Sequence, residues 1–205
     1  MKISLIGMSG SGKTYWSKQL ANLGFKHICC DDLIEEKLKN ELKGWGYSGI
    51  NDIARWMGQP YDSQYKHTSK KYLNFEKQVM DEIFNSIEMN ANKDNKIVID
   101  TTGSIIYTGK NILKKLKKYT KVIYLHVSSE IIKELHDLYI FDPKPVIWGN
   151  LFNKDNSETD KEALARCYPQ LLSYRTKEYQ KIADITLDRR LIRTNAISLV
   201  DMIKF

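Results

Sequence analysis

Long apolar runs, paired cysteines and proline-rich linkers are all missing from this chain, and each absence narrows what it can be. No stretch approaches the roughly 20 consecutive apolar residues of a membrane-spanning helix. The apolar run after Lys2 is too short for the core of a secretory leader. A cytosolic protein is therefore expected. Cys29, Cys30 and Cys167 are odd in number and lack zinc-ligand spacing, so they read as reduced, buried small hydrophobes. His27, His67, His126 and His136 form no metal-binding pattern, which leaves them core or surface roles. Only 4 prolines and no Pro/Gly/Ser-rich linker argue for a single domain over residues 1–205, long enough to bury a sizeable core.

Acidic charge is also in short supply, with 25 Asp and Glu against 32 Lys and Arg, a formal charge of +7. Such a balance suits nucleic acid, but it equally suits an enzyme that holds polyphosphates. The densest basic stretch, "GKNILKKLKKYTK", sets Ile112, Leu113 and Leu116 on one helical side and Lys114, Lys115, Lys117 and Lys118 mostly elsewhere. That is an amphipathic helix with a solvated lysine face, and no RNA-binding signature or repeat accompanies it.

What is present begins at Gly7 with "GMSGSGKT". Gly7, four residues, then Gly12, Lys13 and Thr14 match the phosphate-binding loop, with Ser9, Gly10 and Ser11 inside it. Gly7, Gly10 and Gly12 allow positive φ and close backbone approach, so successive N–H groups can face one anion. Lys13 then reaches the β- and γ-phosphates of ATP, and the Thr14 hydroxyl suits Mg²⁺. A buried strand over Lys2 to Ile6 and a helix over Thr14 to Leu23 flank the loop, aiming a helix N-terminus at the phosphates.

Four more short strands follow: "FKHICC", "KIVIDTTGS", "TKVIYLHV" and "ITLD". Between them lie "DDLIEEKLKNEL" and "INDIARWM", the latter with Ile50, Ile53, Ala54 and Met57 in register. A long helix carries Tyr72, Phe75, Val79 and Ile83 on one side. Alternation of β-branched runs with helices implies an α/β fold, a five-stranded parallel sheet covered on both faces. Ligands in such folds gather at the carboxyl ends of the strands, where the loop, Asp31, Asp32 and Asp100 all fall.

A phosphate loop beside several carboxylates suggests phosphoryl transfer, which needs held phosphates, a metal and a group aligning the attacking oxygen. Asp100 ends an apolar strand, where an unpartnered charge is costly. It is either a ligand of Mg²⁺ or its waters, or a cap on the next turn. Asp31 or Asp32 either orients and deprotonates an acceptor hydroxyl or caps the following helix.

Gly7 to Thr14, "CCDDLIEE", "YLNFE" and "LLSYRTKEYQKIADITLD" together resemble shikimate kinase and its relatives among the P-loop small-molecule kinases. That resemblance implies a P-loop fold with ATP and Mg²⁺, a small hydroxylated acceptor and a mobile lid. In the family an Asp-x-Asp pair precedes two residues and Ile-Glu. Here Ile34-Glu35 puts the second aspartate at Asp31, which inherits the acceptor role, and Cys29 where the first belongs, leaving Asp100 to compensate on the metal side. The Phe-Arg-x-x-Glu element aligns with Tyr72 to Glu76, so the arginine gripping the shikimate carboxylate becomes Leu73. The glycine triplet after the third strand becomes "DTTGS", where Thr101, Thr102 and Ser104 add hydroxyls and Gly103 remains. With Asp31 and Arg175, Thr102 and Gly103 are the implied acceptor-binding residues. Arg175 is otherwise a surface arginine paired with Glu178.

The chain reads as irregular over 139–166, where the resemblance implies the lid. "DPKPVIWGN" is similar to the lid's Arg-Pro-Leu-Leu element with Lys144 as the ATP-side cation. Trp148 either stacks on a ligand or packs on the domain. Residues 58–71 look like an acceptor-side insertion offering Tyr61, Tyr65 or Lys70, or else a plain surface loop. The expected activity is a kinase with an acceptor other than shikimate. Alternatives are a nucleoside or nucleotide kinase, a binding module that has lost catalysis, and a kinase of nucleic-acid ends, the last supported by basic charge alone.

Overall fold

The computed structural model describes residues 1–48, 50–90, 95–128, 139 and 145–188. Its five strands, β1 (Lys2–Ile6), β2 (Lys26–Cys29), β3 (Ile97–Asp100), β4 (Lys121–His126) and β5 (Ile185–Asp188), form one parallel sheet in the order β2-β3-β1-β4-β5. The near-continuous apolar runs follow from burial on both faces. Ile3, Leu5, Val98, Ile123 and Leu125 meet Trp16 and Leu20 of α1 (Lys13–Asn22). On the other face Ile6, Ile97, Ile99, Val122 and Tyr124 join the larger core. It is built from α2 (Cys30–Gly44), α3 (Ile50–Met57), α4 (Tyr65–Met89), α5 (Lys110–Tyr119) and α6 (Asp160–Ile182).

Register brings three strand ends together. Asp100 lies level with Leu5 on one side and Cys29 on the other, so the loop after β1, the start of α2 and the end of β3 share one edge. The expected α/β fold is present, with differences at boundaries. Cys30 begins α2 rather than ending β2, so Asp31 and Asp32 occupy its first turn and neither is the cap. Helix α4 starts at Tyr65, inside the segment read as an insertion, because Thr68, Tyr72 and Glu76 extend its buried stripe backwards. Helix α6 starts at Asp160, so the end of the segment read as irregular is helical. A reciprocal cap fixes that start: Glu162 N–H donates to Thr159 Oγ1 at 3.3 Å and Thr159 N–H to Glu162 Oε2 at 2.8 Å.

The basic helix is α5. Ile112 and Leu116 are buried, while Lys115, Lys117 and Lys118 pair with Asp81, Asp184 and Glu88. Those pairs leave little of the free cationic stripe that a nucleic acid would need. Among the described residues no helix is long and apolar enough to cross a membrane.

Candidate active site

The loop after β1 turns as its glycines predict. Gly7, Gly10 and Gly12 have φ of 148°, 77° and 96°. A Cβ on Gly7 would stand 2.8 Å from Ser11 Oγ and 2.9 Å from the Leu125 carbonyl, so no side chain fits there. Gly12, in the left-handed region, is the N-cap of α1. Lys13 is 8% exposed, and its Nζ donates to the Gly7 and Met8 carbonyls at 3.0 Å each. Burial lowers its pKa, opposed by the charges of Asp100 and Asp31. Ser11 is buried, whereas Ser9, Gly10 and Thr14 face solvent at the loop's mouth.

Two carboxylates flank Lys13. Asp31, half-buried, receives a long 3.4 Å hydrogen bond from Tyr72 Oη, and burial raises its pKa to about 6 against the pull of Lys13. Asp32 is exposed, which favours the more buried Asp31 as the functional member of the pair. Asp100 is 2% exposed and neither of its oxygens has a protein hydrogen-bond partner. It therefore caps no turn. The orphaned carboxylate of Asp100 and the exposed hydroxyl of Thr14 at the loop's mouth are oxygen donors of the kind that suits Mg²⁺.

Gly103 joins the loop to the opposite wall. A Cβ built on it would lie 3.4 Å from the Ser9 amide nitrogen, 3.6 Å from an Arg175 terminal nitrogen and 3.7 Å from the Gly7 carbonyl. Tyr179 Oη holds its carbonyl from behind at 2.6 Å. Arg175 is 5% exposed, donates to the Ile147 carbonyl at 2.8 Å and lies 5.6 Å over the Tyr107 ring. Glu178 pairs with Lys181 instead, so Arg175 is no surface arginine.

The hydroxyls after β3 are not free donors. Thr101 Oγ1 donates to the Leu5 carbonyl at 2.7 Å. Thr102 donates to Glu76 Oε1, and Ser104 Oγ to Glu76 Oε2 at 2.6 Å. Glu76 is fully buried, its pKa raised by burial to about 7 against these two hydrogen bonds. Thr102, expected at the acceptor, has its hydroxyl proton committed to a buried carboxylate. Thr102→Val is expected to destabilise the fold by about 1–3 kcal/mol at pH 8. The loss should shrink at pH 5, where Glu76 is protonated and needs its donors less. Urea unfolding at both pH values measures this.

No protein-family model matches this chain, and no curated protein does. Solved structures do. Shikimate kinase from Acinetobacter baumannii in complex with shikimate is 22% identical, with a TM-score of 0.62 over 98% of this chain and 92% of that one. Shikimate kinase from Bacteroides thetaiotaomicron is 16% identical, with a TM-score of 0.59 over 100% and 99%. Dephospho-CoA kinase from Campylobacter jejuni is 14% identical, with a TM-score of 0.54 over 99% and 98%. The chain has the fold of the P-loop small-molecule kinases.

Within that kinase fold the departures at Cys29 and Leu73 take physical form. Leu73 is partly buried against the main core, so no guanidinium fork stands on that turn of α4. Arg55 is 70% exposed and paired with Asp52, and Lys71 pairs with Glu41, so neither replaces it. Trp148 is 1% exposed and packs on Phe152 and Tyr168, which makes it a core residue. Tyr65 Oη donates to the Val146 carbonyl at 2.9 Å and accepts from Trp148 N–H at 2.8 Å, pinning this irregular stretch to α4. Lys144 and its neighbours in 140–144 lie outside the described residues, whereas 139 and 145–166 of the segment read as a lid lie within them.

Sequence reasoning missed Glu76 as a site component, although a signal existed. It falls at the buried position between Tyr72 and Val79, where a lone acid within an apolar stripe needs partners. It also missed His27, which sits 3.7 Å from Asp100.

Proposed function

We propose that this chain is an ATP-dependent, Mg²⁺-requiring kinase that transfers the γ-phosphoryl group to a hydroxyl of a small acceptor other than shikimate. The observation that carries this reading is Gly103, wedged between the phosphate loop at Ser9 and the buried guanidinium of Arg175. A nucleotide held by the loop would present its terminal phosphate beside a cationic pocket for a second molecule.

In this reading Gly7 to Thr14 cradle the polyphosphate with backbone N–H groups, and Lys13 swings from its carbonyl partners to the β- and γ-phosphates. Thr14 and Asp100 are the residues to hold Mg²⁺, which neutralises phosphate charge. Asp31, with its pKa near 6, is ionised at neutral pH and accepts the acceptor's hydroxyl proton as the new bond forms. Arg175 orients the acceptor, and Lys144 serves as the ATP-side cation. With Thr102 and Ser104 engaged by Glu76, acceptor selection falls to Asp31, Arg175 and the main chain at Gly103.

A nucleoside or nucleotide kinase is the second reading, favoured by the Tyr107 ring under Arg175 and its stacking with Tyr174 at 6.1 Å. A coupled ADP-release screen with shikimate, sugar acids, polyols, nucleosides and oligonucleotides separates these readings. Saturable turnover of a non-shikimate hydroxyl compound is expected, and efficient turnover of shikimate would falsify the acceptor assignment. Nucleotide binding without turnover of any acceptor would point to a binding module.

A further inference from the structure

The end of β2 carries two side chains, His27 and Cys29, that phosphoryl transfer leaves unexplained, and both stand close to Asp100 at the end of β3. His27 and Cys29 alternate along β2 and so face the same side of the sheet, and pairing sets Val98 beside His27 and Asp100 beside Cys29. One ligand atom from each of His27, Cys29 and Asp100 lies within 4.8 Å of the others. His27 Nε2 is buried without a hydrogen-bond partner, and so are both oxygens of Asp100. Their separation of 3.7 Å is too long for a direct hydrogen bond. It suits two ligands of one tetrahedral ion, whose edges run to roughly 3.3–3.8 Å for metal–ligand bonds of about 2.0–2.3 Å.

We propose that His27, Cys29 and Asp100 form a binding site for a divalent cation of the Zn²⁺ class. Imidazole and thiolate nitrogen and sulfur select such ions, while Mg²⁺ demands oxygen. Three protein ligands leave a fourth position open to water. Burial raises the Cys29 thiol above its ordinary value, so it keeps its proton until an ion displaces it. Binding therefore forms a metal–sulfur bond as the S–H bond breaks, and the proton passes to solvent. The ion also offsets the buried charge of Asp100, which gains a partner. The site itself does not depend on the kinase reading. Its consequence does: an ion held here competes for the carboxylate assigned to Mg²⁺.

The test uses the whole chain, stripped with a chelator and titrated with Co²⁺. One equivalent should bind with a near-ultraviolet thiolate-to-cobalt band that Zn²⁺ abolishes and excess Mg²⁺ does not. Zn²⁺ should raise the Tm. Cys29→Ser should lose the band, Cys167→Ser should keep it, and His27→Gln should weaken Zn²⁺ affinity by about tenfold or more. Circular dichroism checks that each variant is folded, and His27→Gln stands alone if Cys29→Ser is not. Co²⁺ binding without a thiolate band, a band that survives Cys29→Ser, or a Tm indifferent to Zn²⁺ would overturn the proposal. Because these readouts need no turnover, a failed acceptor screen leaves them intact.

Discussion

Lys13→Ala is expected to lower kcat by about a thousandfold or more, because a charge aimed at developing negative charge in a water-poor site is worth several kcal/mol in the barrier. The protein should remain folded. Lys13 is buried, yet its ammonium donates to the Gly7 and Met8 carbonyls of its own loop, and its side chain is not part of the apolar cluster between α1 and the sheet. Those carbonyls can be reached by water once the side chain is gone, since Ser9 and Gly10 beside them are exposed. Circular dichroism, nucleotide titration and the ADP-release assay together measure the effect. A folded variant with undiminished turnover would remove the phosphate-loop assignment.

Asp31→Asn should cost about 10²–10⁴ in kcat, the range for a positioned general base, with a much smaller change in ATP affinity. A pH signature accompanies the loss. With the Asp31 pKa near 6, wild-type activity should fall below that pH as the carboxylate is protonated, and the variant should lose this limb. Stability moves the other way. Burial raises the folded-state pKa above the ordinary 3.8, so the folded protein binds the proton more tightly and the group's stabilising contribution is full only below the unfolded value. It is lost as pH rises through about 6. Asn carries no such penalty, so the variant's Tm should exceed the wild type's at pH 8, and the gap should close towards pH 4. If Asp32→Asn is the damaging change instead, the alignment on Ile34-Glu35 is shifted by one residue.

Both expectations lean on residues that stand close in sequence to a recognisable pattern. Gly7 to Thr14 is legible because a phosphate loop needs a fixed order of glycines, lysine and hydroxyl over eight consecutive positions, and β1 and α1 place it without help from the rest of the chain. The strands were legible for a related reason: burial on both faces demands short β-branched runs, and "KISLI", "KIVID" and "KVIYLH" have nowhere else to go. Helix ends were less so. The start of α4 at Tyr65 depends on Thr68 reaching the Met57 carbonyl at 2.7 Å, a contact with α3 that no local spacing encodes.

The sequence by itself determined the phosphate loop and the order of strands and helices through motif spacing and local periodicity, and the candidacy of Asp100 through its place at a strand end, while Asp31, Gly103 and Arg175 became candidates through the resemblance to shikimate kinase. Tertiary structure decided what those side chains can do. It turned the hydroxyls of Thr102 and Ser104 inward to a carboxylate on α4, buried Trp148 in the core, and drew Arg175 from the middle of α6 to the edge of Gly103. It also set His27 and Cys29 beside Asp100 through the pairing of β2 with β3. The reason is that whether a polar group is free or engaged depends on the strands and helices packed against it, and these come from distant parts of the chain. Sequence spacing reports the period of one element, whereas register and packing choose its partners.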